Sequence, residues 1–404
     1  MCPSNGSGPA PRRLPAPALF LYPLAHLVIE FYNSQVSMMW PLFAAKFGLT
    51  YGTVGLLSNV LFRGAMTLPQ LGFAPITDRH GSRWLAIVGV LVMGAGMSLL
   101  GLAPSVAVLA AILVLAPLGS AAFHPAGTAY MGKALARQRG IAVALFMIGG
   151  TLGMSLGPLL GGPLYQRYGL RASPWLIPFA LGIALLMFLF IPADRQATTH
   201  RAAGAGPRSP IPRAIFVLMV ACICQAWIEN AFTQYLPLFL TAQGLPLTRP
   251  GQILSIYQVM AAAGVLAGGA LSDRMPRWRV AIVAMVLTMP AYLATLRLGG
   301  TWALIAPGAL GFAAALSHPV TVTMGQELMP DRTSLASALT MGISWVIGSL
   351  GAFGTGVLAD HIGIETALLL NTALPLIGIS AVLTFRQLSR RQRALGGQAQ
   401  KVTG

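Results

Sequence analysis

Charge is scarce in this chain and negative charge scarcer still: only 9% of its 404 residues are Asp, Glu, Lys or Arg, and only nine residues are acidic. A soluble domain carries roughly 25% charged residues, so a water-soluble globule is excluded. Cysteine is almost missing. Cys2, Cys222 and Cys224 form no disulfide framework, because positions 222 and 224 diverge by about 200° on a helix. No G-x-x-x-x-G-K-[ST] loop occurs to cradle a nucleotide's phosphates. Nor does the sequence set a nucleophile with its base, or a metal-ligand cluster, on adjacent helix faces. Enzyme chemistry is therefore not expected, and neither a cofactor nor a metal; Met38-Met39 reads as ordinary packing by unbranched side chains.

Apolar sequence takes the place of charge. Hydrophobic residues make up 55% of the chain and its mean hydropathy is +0.72. Runs long enough to span a bilayer, about 20 residues each, fall at 19–43, 53–76, 84–103, 106–132, 141–165 and 172–191 in the first half. In the second they fall at 213–240, 252–271, 280–298, 302–326, 335–358 and 365–385. The halves also repeat their punctuation. Thr77-Asp78-Arg79 returns as Ser272-Asp273-Arg274, His124-Pro125 as His318-Pro319, and Ser155-Leu156-Gly157 as Ser349-Leu350-Gly351. An all-α membrane protein follows, with twelve transmembrane helices in two pseudo-symmetric six-helix bundles and a site between them.

A net charge of +17 would suit nucleic acid in a soluble protein, but here its placement is topological. With the N-terminus in the cytoplasm, nearly all Lys and Arg fall on the cytoplasmic side, and only Lys46, Arg167, Arg171, Arg249 and Arg297 lie outside. No nucleic-acid partner is expected; the bilayer is. Residues 1–17 read as a disordered cytoplasmic tail, 18–191 as the N-terminal bundle and 192–212 as a cytoplasmic linker. The C-terminal bundle covers 213–386 and a second cytoplasmic tail 387–404. Both termini face the cytoplasm of a multi-pass cell (inner) membrane protein, for which a monomer suffices.

Ionisable groups inside spans are costly, so each is a functional candidate. Glu30 lies near the middle of the first span, with His26 one turn earlier on the same face. Arg63 lies roughly 16 Å into the second span, at the depth of Glu30. The two are expected to pair, and with His26 to carry protons. In the seventh span Gln225 and Glu229 stand where His26 and Glu30 stand in the first. With Tyr257 and Gln258 they are expected on the substrate side, together with His124 and His318, whose following prolines kink the helix.

Two further motifs carry a resemblance. Gly72 to Trp84 reads G-F-A-P-I-T-D-R-H-G-S-R-W and resembles the signature loop of the major facilitator superfamily. Asp78, Arg79, Gly81 and Arg83 are then expected to form a gate, with Asp273 and Arg274 in the second copy, where Pro276 replaces the glycine. In the fifth span Gly153, Gly157 and Gly161 recur every four residues, beside Pro158 and Gly162. They form a smooth ridge for backbone-to-backbone packing, and the run resembles the antiporter motif of that superfamily's exporters.

The runs A-A-F-H-P-A-G-T-A (121–129), Q-E-L-M-P-D-R (326–332) and G-V-L-A-D-H-I-G-I-E (356–365) resemble the fosmidomycin-resistance group of exporters. That resemblance implies proton-driven antiport that exports a small organic, drug-like or anionic compound by alternating access, hence drug resistance. Two departures stand out. That group usually shows Asp where Glu30 stands, and the arginine-bearing fourth-span motif of many drug exporters is missing, since 115–121 reads L-A-P-L-G-S-A. Uptake of a metabolite, siderophore or metal on the same scaffold is the first alternative; a membrane-embedded enzyme or lipid-handling protein is a more distant one.

Overall fold

The computed structural model describes residues 16–134, 139–192, 211–300 and 302–402. The side chains of Asp78 and Arg79, most of the 192–212 linker and most of the 1–17 tail lie outside the described residues. Every regular element among the described residues is helical. In order these are α1 (Ala16–Phe47), α2 (Tyr51–Gly55), α3 (Arg63–Thr67), α4 (Gln70–His80), α5 (Arg83–Leu99), α6 (Val106–Leu115), α7 (Pro117–Ala134), α8 (Arg139–Tyr168) and α9 (Ile177–Phe190). The second half supplies α10 (Arg213–Ala242), α11 (Thr248–Arg274), α12 (Arg277–Arg297), α13 (Trp302–Leu316), α14 (His318–Leu328), α15 (Thr333–Ser337), α16 (Ser344–Ile362), α17 (Ile364–Leu370) and α18 (Leu374–Val402).

Nine helical stretches among the described residues are long and apolar enough to cross a membrane. One of them, Ile141–Phe190, is 50 residues long and is broken by a 3-10 turn at Gly169–Leu176. The polarity of the chain is inverted relative to a soluble protein. Leu181, Leu185, Leu189 and Phe190 of α9 are exposed, whereas Glu30, His26, Gln35, Asn59 and Asn230 are buried. Apolar groups outside and polar groups inside is the arrangement hydrocarbon selects.

The breaks in the helices follow local chemistry. Gly81 ends α4 with φ 87°, a conformation that favours glycine, and the chain reverses there as the sequence predicts. The expected kinks at the two His-Pro pairs differ from what forms. Pro125 lies inside an uninterrupted α7, and that span is broken earlier, ahead of Pro117. The tenth span breaks at Ser317, so that Pro319 sits in the first turn of α14, where a missing N–H costs nothing.

Two π-helical segments, Leu56–Phe62 and Ala338–Ile343, interrupt the helices that flank the central cavity. Such segments are frequent at functional sites. The glycine ridge of α8 packs on α1: a Cβ at Gly153 would lie 2.2 Å from the Leu27 carbonyl, and one at Gly157 2.0 Å from Ser34 Oγ. The second half repeats this seat, with Gly348 and Gly351 of α16 against Ala226 and Trp227 of α10. The other edge of α8 meets α11, where Ser155 and Ser255 hydroxyls lie 2.7 Å apart. A Cβ at Gly162 would meet the Leu247 carbonyl at 2.9 Å. The antiporter-type motif is thus a two-sided bearing between α1 and α11, with Gly161 looser than its neighbours at 3.5 Å.

Candidate functional site

A cavity of about 510 Å³ runs from Glu30 along the second span toward Gln70. Its walls come from α1, the π segment and α3, α7, α8 and the start of α16, including Asn59, His124, Met154 and Trp345. A smaller cavity of about 100 Å³ holds Glu229, Thr233, Gln234 and Gln258. Arg63, Asn33, Met154 and Trp345 line both. Arg63 therefore stands between the Glu30 side and the Glu229 side. Most of the larger cavity's lining comes from the 59–70 stretch and from 341–350, with Glu30 and Asn33 from α1, His124 from α7 and Met154 from α8.

Glu30, 2% exposed, is held by three side chains. His124 Nε2 lies 3.0 Å from Oε1, His26 Nε2 lies 3.8 Å from the same oxygen, and Asn33 Nδ2 donates to Oε2 at 2.9 Å. The expected Glu30–Arg63 ion pair does not form; His124, assigned from sequence to the substrate side, takes that place. The two imidazoles are oriented by backbone carbonyls. His26 Nδ1 meets the Phe146 carbonyl at 2.7 Å, and its ring stacks on Phe146 at 4.1 Å. His124 Nδ1 meets the Ser120 carbonyl at 2.8 Å.

A carbonyl only accepts, so each Nδ1 carries its hydrogen and each Nε2 is turned to the carboxylate. Two acceptors cannot approach to 3.0 Å on their own. The His124–Glu30 contact requires a proton on one of the two atoms. His26 Nε2, His124 Nε2 and Glu30 Oε1 lie within 4.8 Å of one another, donors of the type that also bind divalent cations, and a shared proton meets the same electrostatic need.

The second half repeats the pair in looser form. His318 Nε2 lies 3.4 Å from Glu229 Oε2, with the His318 ring 5.7 Å from Trp345. Neither of those two atoms has another hydrogen-bond partner. The remaining sequence candidates divide. Gln258 lines the smaller cavity. Gln225 donates to the Ala314 carbonyl at 2.7 Å and ties α10 to α13. Tyr257, 1% exposed, packs its ring against Phe232. Arg83 donates to the Phe188 carbonyl at 2.6 Å, anchoring α5 to the end of α9 within the first half. Asp273 and Arg274 are exposed, and neither has an ion-pair partner among the described residues. Asn33, which the sequence sets near Glu30, joins the site, and Asn59 and Trp345 join it without being singled out by the sequence; a polar residue inside an apolar run is the signal for Asn59.

An all-helical chain with buried carboxylate–histidine pairs beside a largely apolar cavity, inside an apolar shell, has the architecture of a membrane transport protein. The Major Facilitator Superfamily model matches residues 24–350, and the chain belongs to that family. It is 27% identical to the fosmidomycin resistance protein of Escherichia coli (strain K12) over 374 residues, covering 89% of this chain and 90% of that one. It is also 27% identical over 277 residues to the multidrug resistance protein MdtG of Salmonella typhimurium, covering 63% and 67% of the two chains. Among solved structures, a bacterial homologue of the human lysosomal transporter Spinster, inward-facing and unoccupied, superposes with TM-score 0.78 at 16% identity, covering 95% of this chain and 98% of that chain.

Proposed function

We propose that this protein is a twelve-span, two-bundle secondary transporter of the inner membrane. It exports a small organic compound in exchange for protons by alternating access. The span count comes from dividing the 141–190 stretch at its 3-10 turn and adding the two helical regions that precede Arg83. The reading rests first on one observation: the 3.0 Å contact between His124 Nε2 and Glu30 Oε1 must contain a proton, and His124 borders the open cavity. A proton held there is released when the pair separates, and separation is what a binding cargo or a rocking half would bring about.

Arg63 gives cargo its counter-charge. No carboxylate among the described residues lies within ion-pair distance of it, and it lines both cavities. A guanidinium so placed favours an anionic cargo, with Met154, Met341 and Trp345 receiving an apolar portion. The similarity to two resistance proteins supports export as the direction. With the termini in the cytoplasm, the cavity between Glu30 and Gln70 opens inward, the side from which an exporter loads.

The test is growth of an efflux-deficient host on a panel of toxic compounds that includes phosphonates, with wild-type protein or Glu30→Gln at equal membrane abundance. Resistance conferred by the wild type and lost in the variant is expected. Everted vesicles should also show cargo accumulation that collapses with the pH gradient. Sensitisation by the wild type, or transport indifferent to the gradient, would overturn the reading.

A further inference from the structure

We propose that the second half carries, apart from the central cavity, a binding site for the phosphate headgroup of an anionic phospholipid. The site is a recess of about 300 Å³ where α12 begins and α18 nears its end. Met324 and Phe385 form its floor, and Arg277, Arg386 and Arg390 its rim. Its charges do not balance. Arg277 is paired with Glu327, but Arg386 and Arg390 have no acidic partner among the described residues. The guanidiniums of Arg386 and Arg279 lie 3.8 Å and 5.2 Å from the centre of one ring, that of Trp278. Two like charges on a single indole repel each other, and an anion bound beside them lowers that repulsion.

Hydrogen-bonding capacity is also unused. Arg277 Nε, Arg386 Nε and Ser389 Oγ are buried without a partner within the protein, capacity that a water, an ion or a bound headgroup can take up. The first half offers a control. There the equivalent Arg83-Trp84 pair is engaged by Phe188, through its carbonyl and its ring.

Position decides between a soluble anion and a lipid. The apolar stretches of these two helices start at Arg277 and end at Arg391, so the recess lies where both helices leave the hydrocarbon. Directly toward the membrane, Val283 of α12 and Leu383 of α18 are exposed and provide a track for acyl chains. An arginine fork binds phosphate oxygens in bidentate fashion, and basic recesses between spans on the cytoplasmic side suit anionic headgroups.

The experiment is native mass spectrometry of the purified full chain, equilibrated in mixed micelles with equal amounts of phosphatidylglycerol and phosphatidylcholine. Wild-type protein should retain phosphatidylglycerol preferentially, and millimolar inorganic phosphate should leave that preference intact. Arg386→Gln and Arg390→Gln should each weaken it about fivefold, as expected for roughly one surface arginine's share of headgroup attraction. Arg171→Gln, outside the recess, should not. Arg386→Lys, which keeps the charge and the fold but loses the fork, should fall between. Equal retention of the two lipids by wild type, displacement by inorganic phosphate, or a preference unchanged in both glutamine variants would each overturn the proposal.

Discussion

The carboxylate of Asp360, at the end of α16, accepts the backbone N–H of Tyr51 at 2.7 Å, the first residue of α2. Its other oxygen accepts the N–H of Gly52 at 2.9 Å. An acid at a helix N-terminus satisfies otherwise orphaned donors and complements the helix dipole. Here the acid and the helix come from opposite halves of the sequence. Tyr235 of α10 joins them: its hydroxyl lies 3.4 Å from the Tyr51 carbonyl, and Cβ atoms at Gly55 or Gly356 would collide with it at 2.3 and 2.1 Å. The contact ties α16 to α2 at the Tyr51 end of the second span, beside a groove lined by Tyr51, Val54 and Asp360.

If this tie holds that end shut during transport, replacing Asp360 by Ala should loosen it. Two charge-assisted bonds to backbone are worth about 1.5–3 kcal/mol together after solvent competition, which corresponds to a roughly tenfold to hundredfold shift between closed and open populations. In a background with its three cysteines replaced by serine, Cys introduced at the buried Val54 should react with a membrane-impermeant maleimide at least tenfold faster when Asp360 is Ala. An unchanged rate would show that the cap is incidental to closure.

The glycine ridge of α8 makes a graded prediction. Ala at Gly153 or Gly157 places a methyl at 2.2 or 2.0 Å from groups on α1, so the helices must separate, and overpacking of this kind costs about 1–3 kcal/mol. Gly161→Ala meets its nearest neighbour at 3.5 Å, an ordinary contact. Thermal unfolding in detergent should show both tight-site variants well below wild type and Gly161→Ala within a degree or two of it. Three equal shifts would mean that helix propensity, not close approach to α1, sets the effect.

The sequence made the helical class, the repeat and the burial of Glu30 legible, because apolar run length and a lone acid within an apolar run are local signals. It did not reveal Glu30's partner. Arg63 shares its depth, but depth says nothing of azimuth, and the helix carrying Arg63 is re-phased by the π segment Leu56–Phe62 that no periodicity announces. The repeat contained a better clue. His124 and His318 recur in step with each other, as Glu30 and Glu229 do, so a contact present in one half was due in both; the structure has both, at 3.0 and 3.4 Å. Tyr257 failed for the opposite reason: a polar atom on an aromatic ring is as compatible with a core as with a cavity.

The His124–Glu30 pair itself yields to a double-mutant cycle. Removing one member of a buried pair strands the other and costs about 3–5 kcal/mol, whereas removing both leaves no stranded charge. His124→Leu and Glu30→Gln should each lower thermal stability clearly. The double variant should be more stable than the sum of the two losses requires, with a coupling energy in the 0.5–3 kcal/mol range seen for residues in contact. The equivalent cycle with Arg63→Gln and Glu30→Gln should be closer to additive, since these residues share a cavity and not a contact. Strong coupling in the Arg63 cycle together with additivity in the His124 cycle would reverse the assignment and return Arg63 to the position of Glu30's partner.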